Sequence, residues 1–313
     1  TDSTDLKSVL AYIFGYVSSA VAWYGMRYQK KNITFLIRSF RDIYPGFHAK
    51  KIDFLSFVIC SMTIIFPAVL TYITDDSEFL SFYTFGYNLG SSWIITVLII
   101  VKSCFYYMLY PSITNIVAVF YTSLCWRCSV YIKSLTDQIE EYSPEEFGLL
   151  QQLNILKSKK KVYDALHNIQ DTLSMPIFFV ILANVFMCSA VTGGLLVKSV
   201  GDFNKLLQMD FLYYLINGIL CVVGTLWIAG RVPIEMSRFK NSFYQKTHER
   251  LLHQYAVVDS EEKHLKMDFC SEQDFVLTGY NILPLRRSTI LALIGTLFTY
   301  TALVMDTNRP DKI

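Results

Sequence analysis

The chain has 313 residues and a net charge of +2; 53% of them are apolar and 17% charged. Soluble domains carry about 25% charged residues, and here the mean hydropathy is +0.35. Apolar residues gathered into long runs exclude a disordered chain or a nucleic-acid module, and the near-neutral charge names no partner. What remains is an all-α, polytopic membrane protein.

A crossing needs about 20 mainly apolar residues, with every backbone polar group satisfied inside the segment. Six stretches meet that test: residues 9–26, 54–73, 93–130, 175–197, 211–229 and 289–305. The connection after the first carries Arg27, Lys30, Lys31, Arg38, Arg41, Lys50 and Lys51, whereas the next carries Asp75, Asp76 and Glu78 and no base. Arg127, Lys133, Lys157 and Lys159 to Lys161 follow the third stretch, and Arg231, Arg238, Lys240, Lys246, Arg250, Lys263, Lys266, Arg286 and Arg287 precede the last. The positive-inside rule puts these three basic connections in the cytosol and both ends of the chain outside.

The third stretch is too long for one simple crossing. Splitting it at Pro111 gives seven spans, but it moves two basic connections outside and leaves Tyr110-Pro111-Ser112 to turn the chain without a polar loop. A single helix kinked at Pro111 and running on into the cytosol is expected instead. No basic region precedes the first span, and an external start without a signal peptide is awkward. The expectation is a fragment lacking one earlier span. The whole protein then has seven spans, a cytosolic N-terminus and an external C-terminus.

Past the third stretch, Ser143-Pro144-Glu145-Glu146 offers a capping box with Pro at the first helical position. Leu149, Leu153, Leu156, Val162, Leu166, Ile169 and Leu173 then recur at helical spacing as an apolar stripe. Residues 231–258 also read as helix, with Ile234, Phe243, Leu251 and Leu252 as candidate buried positions. These polar helices are either a cytosolic bundle joining subunits or solvated juxtamembrane arms. Cys60, Cys104, Cys188 and Cys221 fall in spans, and Cys125, Cys128 and Cys270 fall on or near the basic side, so no structural disulfide is expected. The Cys125-Trp126-Arg127-Cys128 match has no second pair and lies on a helix, and the Asn32-Ile33-Thr34 sequon falls in a cytosolic connection.

No enzyme constellation emerges. His248-Glu249 and His253 miss the zinc-binding helix spacing by one residue, and phosphate loops and nucleophile elbows are absent. No catalytic residue, metal ligand or cofactor is assigned.

The C-terminal stretch carries the most specific pattern. Phe275-Val276-Leu277-Thr278-Gly279 comes first, then Leu285-Arg286-Arg287-Ser288, an apolar run from Ile290, Thr299-Tyr300, five further residues and Asp306-Thr307. Over about the last thirty-five residues this resembles the signature of the insect gustatory receptor family, in which Gln and Phe stand where Asp306 and Thr307 are found. The resemblance implies spans two to seven of a seven-helix, tastant-gated, non-selective cation channel in the plasma membrane. It also implies a homo- or hetero-tetramer, a pore lined by the last helix, and one small-organic-ligand pocket per subunit. The implied parts are residues 1–130 and 175–230 as transmembrane helices, the former lining the ligand site; 131–174 and 231–288 as cytosolic anchor segments; and 289–313 as pore helix and external tail.

On the last span, Gly295, Thr299, Ala302 or Leu303, and Asp306 share one helix face. Four copies of Leu303 would form a constriction that closes by dewetting, and four of Asp306 an external acidic ring. Asp306 is otherwise simply the first polar residue beyond the membrane. Lys102 lies inside the third stretch, where a cation costs about 2.5–3.5 kcal/mol; it either snorkels or faces a ligand cavity. Tyr72, Trp93, Tyr106, Tyr213, Tyr214 and Asn217 share that outer half and suit a partly polar organic ligand. Two other classes stay open: a secondary transporter, disfavoured by the lack of an internal repeat, and a receptor signalling through a cytosolic partner without conducting ions.

Overall fold

The computed structural model describes residues 2–43, 49–73, 92–197, 205–253 and 275–307. In chain order these form α1 (Asp2–Tyr28), α2 (Lys30–Ile43), α3 (Ala49–Ile73), α4 (Ser92–Tyr107), a π turn (Met108–Ser112) and α5 (Ile113–Glu141). After them come α6 (Leu149–Val197), α7 (Lys205–Ala229), α8 (Arg231–His253), the two-residue strands β1 (Thr278–Gly279) and β2 (Leu283–Pro284), and α9 (Arg287–Thr307). Four of the described segments, 9–28, 96–141, 149–195 and 208–252, are long and apolar enough to cross a membrane, and α3 and α9 contain shorter apolar runs. The chain is a multi-pass helical membrane protein.

The 49-residue α6 is the post around which the bundle assembles, touching α1, α2, α5, α7, α9 and β1. Helix α1 approaches it along a row of small residues. Ser18, Ser19 and Ala22 are buried, and a Cβ added at Gly15 or Gly25 would meet Met187 Sδ at 2.6 Å or Pro176 Cγ at 3.3 Å. Small residues at three-to-four spacing let two backbones come close where lipid supplies no hydrophobic drive between helices. On the α6 side Val162, Ala165, Leu166, Ile169, Leu173, Ile177, Val180 and Ile181 fill one continuous buried stripe.

The third apolar stretch is one broken helix, as expected, with the break at the proline. Tyr110 leaves helical geometry (φ −147°, ψ 129°), and Tyr110-Pro111 is a cis peptide bond. The chain does not double back, since α4 and α5 have no packed interface with each other. Neighbours satisfy the groups freed at the break: Ser19 Oγ donates to the Leu109 carbonyl, Thr114 Oγ1 to the Pro111 carbonyl at 2.8 Å, and Thr63 and Ser112 share a hydrogen bond.

Three sequence expectations need correction. Helix α6 begins at Leu149 rather than at Pro144. The Ser143–Glu146 capping box forms, with Glu146 N donating to Ser143 Oγ at 3.3 Å and Ser143 N to Glu146 Oε2 at 3.2 Å, but it closes only a turn. Burial of Phe147 stops that turn from continuing, because its ring seats 5.9 Å from Tyr142, just past α5, and 5.5 Å from Phe243 of α8. The first turns of α6 accordingly bury Gln152 and Ile155, leaving Leu153 exposed. In α8 the inward face is Val232, Glu235, Phe239, Phe243 and Thr247, whereas Ile234 and Leu252 are exposed. The polar and apolar parts of α6 run as one helix through Pro176.

The far ends of α5 and α8 and the start of α6 make a three-helix unit centred on α5. Ser242 Oγ donates to Glu140 Oε1 at 3.1 Å, and Arg250 Nη1 to the Glu145 carbonyl at 2.8 Å. The β1–β2 hairpin then clips the lead-in of α9 onto α6. Gln170 accepts from Thr278 N at 2.9 Å and donates to the Thr278 carbonyl at 2.9 Å, while Gly279 lies close against Phe178, where a Cβ would stand 3.3 Å from the Phe178 Cβ. Tyr280 and Asn281 turn the hairpin with φ of 51° and 55°.

Candidate functional site

Two places in the bundle carry unusual chemistry. The first is α9. It packs against α6 and α7 through a narrow stripe: Thr289 is buried, and Ile290, Leu293, Leu297, Tyr300 and Thr301 are half-buried. The rest of the helix is bare. On a 3.6-residue wheel the bare surface divides into two flanks. One is large and apolar, with Leu291 74%, Phe298 70% and Ile294 40% exposed. The other carries Ala292, Gly295, Thr296, Thr299 and Ala302, with Leu303 on its edge. A Cβ at Gly295 would meet nothing within 4 Å. The threonine hydroxyls bond back to their own helix, Thr296 to the Ala292 carbonyl at 2.8 Å and Thr299 to the Gly295 carbonyl at 2.9 Å, so this flank is stable in a dry or a wet setting.

The second place is an aromatic cluster where α1, α3, α4, the π turn, α6 and α7 meet. Tyr107 and Tyr214 stack at 5.5 Å, Phe66 and Tyr213 at 4.3 Å, and Tyr110 and Tyr214 at 5.7 Å. Tyr16 closes one side, 6.3 Å from Tyr110 and 5.9 Å from Tyr106. Polar atoms are threaded through these rings. Tyr107 Oη donates to Asp210, Tyr110 Oη to Asn184 Oδ1 at 2.9 Å, and Asn115 Nδ2 to Asn217 Oδ1 at 2.7 Å. The Tyr12 hydroxyl is buried with no hydrogen-bond partner among the described residues. Asp210 stands near the start of α7, and a carboxylate buried among aromatic rings is costly unless hydrogen bonds or a ligand satisfy it.

The residues singled out from the sequence fall into three groups. Tyr213, Tyr214 and Asn217 lie in the aromatic cluster. Trp93, Lys102 and Tyr106 line an open, mostly apolar groove along α4 with Val97, Val101 and Phe105, and Tyr106 touches the cluster through Tyr16. The side chains of Tyr72 and Asp306 lie outside the described residues, although both belong to helices, α3 and α9. Thr299, Ala302 and Leu303 all stand on bare surface of α9. Sequence reasoning missed Asp210, Tyr107, Tyr110, Tyr12 and Tyr16. Asp210 was detectable, since positions 210, 213, 214 and 217 share a helix face; an expected span starting at residue 211 hid it. Among the described residues no group of three or more His, Cys, Asp or Glu is placed to hold a metal ion.

No family model matches the chain, and no curated protein matches it. It is similar to the solved structure of the insect olfactory receptor OR5 from Machilis hrabei in complex with eugenol, with a TM-score of 0.62 and 11% identity over 98% of this chain and 82% of that chain. At that identity the likeness shows a common fold.

Proposed function

We propose that this chain is a chemoreceptor subunit of the insect gustatory and odorant receptor type, forming a tastant-gated, non-selective cation channel. The observation that carries the reading is the uncovered, small-residue flank of α9, on a fold like that of an olfactory receptor. In a tetramer four such flanks enclose an aqueous path, with Leu303 as the constriction and Asp306 as the acidic ring at its outer mouth. The large apolar flank of Leu291, Ile294 and Phe298 then faces lipid or a neighbouring subunit. The unit made by α5, α6 and α8 is the contact between subunits, on the cytosolic side by its basic connections.

A small organic tastant binds at the aromatic cluster, stacking on tyrosines and bonding to Asp210, Asn217 or the Tyr12 hydroxyl. Binding there biases α6 and α7, both of which touch α9, so differential affinity for two packings shifts a closed–open equilibrium. Lys102 and Trp93 belong to the approach along α4 rather than to the cluster. Whole-cell recording from cells expressing the chain tests the reading against a library of small organic compounds. Agonist currents without added soluble factors are expected. If agonist instead drives net substrate uptake, or a second-messenger response without current, the channel assignment fails.

A further inference from the structure

A second chemistry sits where α7 passes into α8 beside the first residue of α9. Two guanidinium groups alternate there with two indoles. Arg231 lies over the Trp126 ring at 4.5 Å, and Arg287 over the Trp227 ring at 4.2 Å. Trp227 and Arg231 stand on either side of Gly230, so the two pairs bring α5, the α7–α8 junction and α9 together at one place. Gly230 makes the close approach possible, since a Cβ on it would stand 2.8 Å from Arg287 N.

The two cations differ in their partners. Arg231 is neutralised by Glu235 (Nε to Oε1 3.1 Å), which also faces Arg238 at 4.0 Å. Arg287 has no hydrogen bond or ion pair among the described residues, and its Nε is buried without an acceptor. Arg286 stands exposed next to it, and the first turn of α9 contains no acid. Two guanidinium groups and the positive end of a helix dipole therefore converge on one point with no paired acid among the described residues.

What approaches that point is set by the surface leading to it. Leu212 (55%), Ile216 (49%), Leu220 (66%) and Trp227 (54%) are exposed along a single face of α7. This is an apolar track that ends at a tryptophan and at an arginine with no anionic partner among the described residues. Water-soluble anions gain nothing from such a track. An acyl chain does, and tryptophan with arginine at its end matches the headgroup level of a bilayer. We propose that this is a binding site for an anionic phospholipid. One acyl chain lies along α7, and the headgroup phosphate is held by Arg287 with help from Arg286. The site abuts the start of α9, so its occupancy bears on the position of that helix.

Tryptophan quenching in reconstituted vesicles tests this without any current, so its outcome is independent of the channel reading. In a Trp23→Phe, Trp93→Phe background only Trp126 and Trp227 emit. Brominated phosphatidic acid, a phosphate monoester lipid, is expected to quench them with at least about tenfold preference over brominated phosphatidylcholine, the scale of one charge-assisted bidentate contact. Arg287→Gln should abolish the preference, and Arg286→Gln, at an exposed position where folding is not at stake, should lower it several-fold. Equal quenching by the two lipids, or a preference untouched by both variants, overturns the proposal. Relief of quenching by millimolar inorganic phosphate overturns the lipid assignment, because the site would then be one for free anions.

Discussion

Tyr107→Phe isolates the polar element of the aromatic cluster. The substitution deletes one oxygen and keeps the ring, so stacking on Tyr214 and the tilted contact with Phe66, both at 5.5 Å, survive. What is lost is the hydroxyl that donates to Asp210. A hydrogen bond to a charged group contributes about 1.5–3 kcal/mol. At the roughly 2–4 °C per kcal/mol seen for chains of 150–250 residues, the melting midpoint of purified protein should fall by about 3–12 °C. Asp210→Asn removes the charge that makes this bond strong. In that background Tyr107→Phe should cost no more than about 1 kcal/mol, and the difference between the two backgrounds is the coupling energy of the pair. Equal losses in both backgrounds would mean that Tyr107 and Asp210 act independently, and the case for a functional carboxylate in the cluster would go with it.

Phe147→Ala empties a fully buried site between α5 and α8 and should cost about 3–5 kcal/mol; chemical or thermal denaturation checks it, and a change below 1 kcal/mol would show that the three-helix unit is loosely held. Gly230→Ala forces a Cβ to 2.8 Å from Arg287 N. Overpacking of about 1–3 kcal/mol is expected, and an unchanged melting curve would refute the close approach of α9 to the α7–α8 junction. Asp306→Asn should lower single-channel cation conductance and calcium permeability by weakening the outer acidic ring; a conductance equal to wild type removes Asp306 from the pore.

Most of the architecture was legible because the bilayer leaves the chain few choices. All six apolar stretches became helix, and Pro111 broke its helix without reversing it, since that position offered no polar loop. The failures have local causes. A well-formed capping box did not start α6, because burying Phe147 outweighed continuing a short solvent-exposed turn. Ile234 and Leu252 were expected inside and lie outside, because α8 faces α5 through Val232, Phe239 and Phe243, and hydropathy alone does not choose between neighbouring faces of a helix. The candidate ligand residues split because Trp93, Lys102 and Tyr106 line one groove along α4, whereas Tyr107 stands on a different face of that helix and Tyr110 follows in the π turn. Tyr12 and Tyr16 enter the cluster only through the close packing of α1 on α6, a tertiary contact that no spacing along the chain announces.

Chemical access to α9 tests the central claim most directly. Single cysteines at Thr299 and Ala302, on the small flank, and at Leu291 and Phe298, on the large one, are introduced one at a time into protein whose seven native cysteines are replaced by serine or alanine, embedded in membrane and exposed to a charged, water-soluble maleimide. A conduit predicts labelling at Thr299→Cys and Ala302→Cys, with Leu291→Cys and Phe298→Cys protected. Protection of the small flank, or labelling confined to the large one, contradicts it.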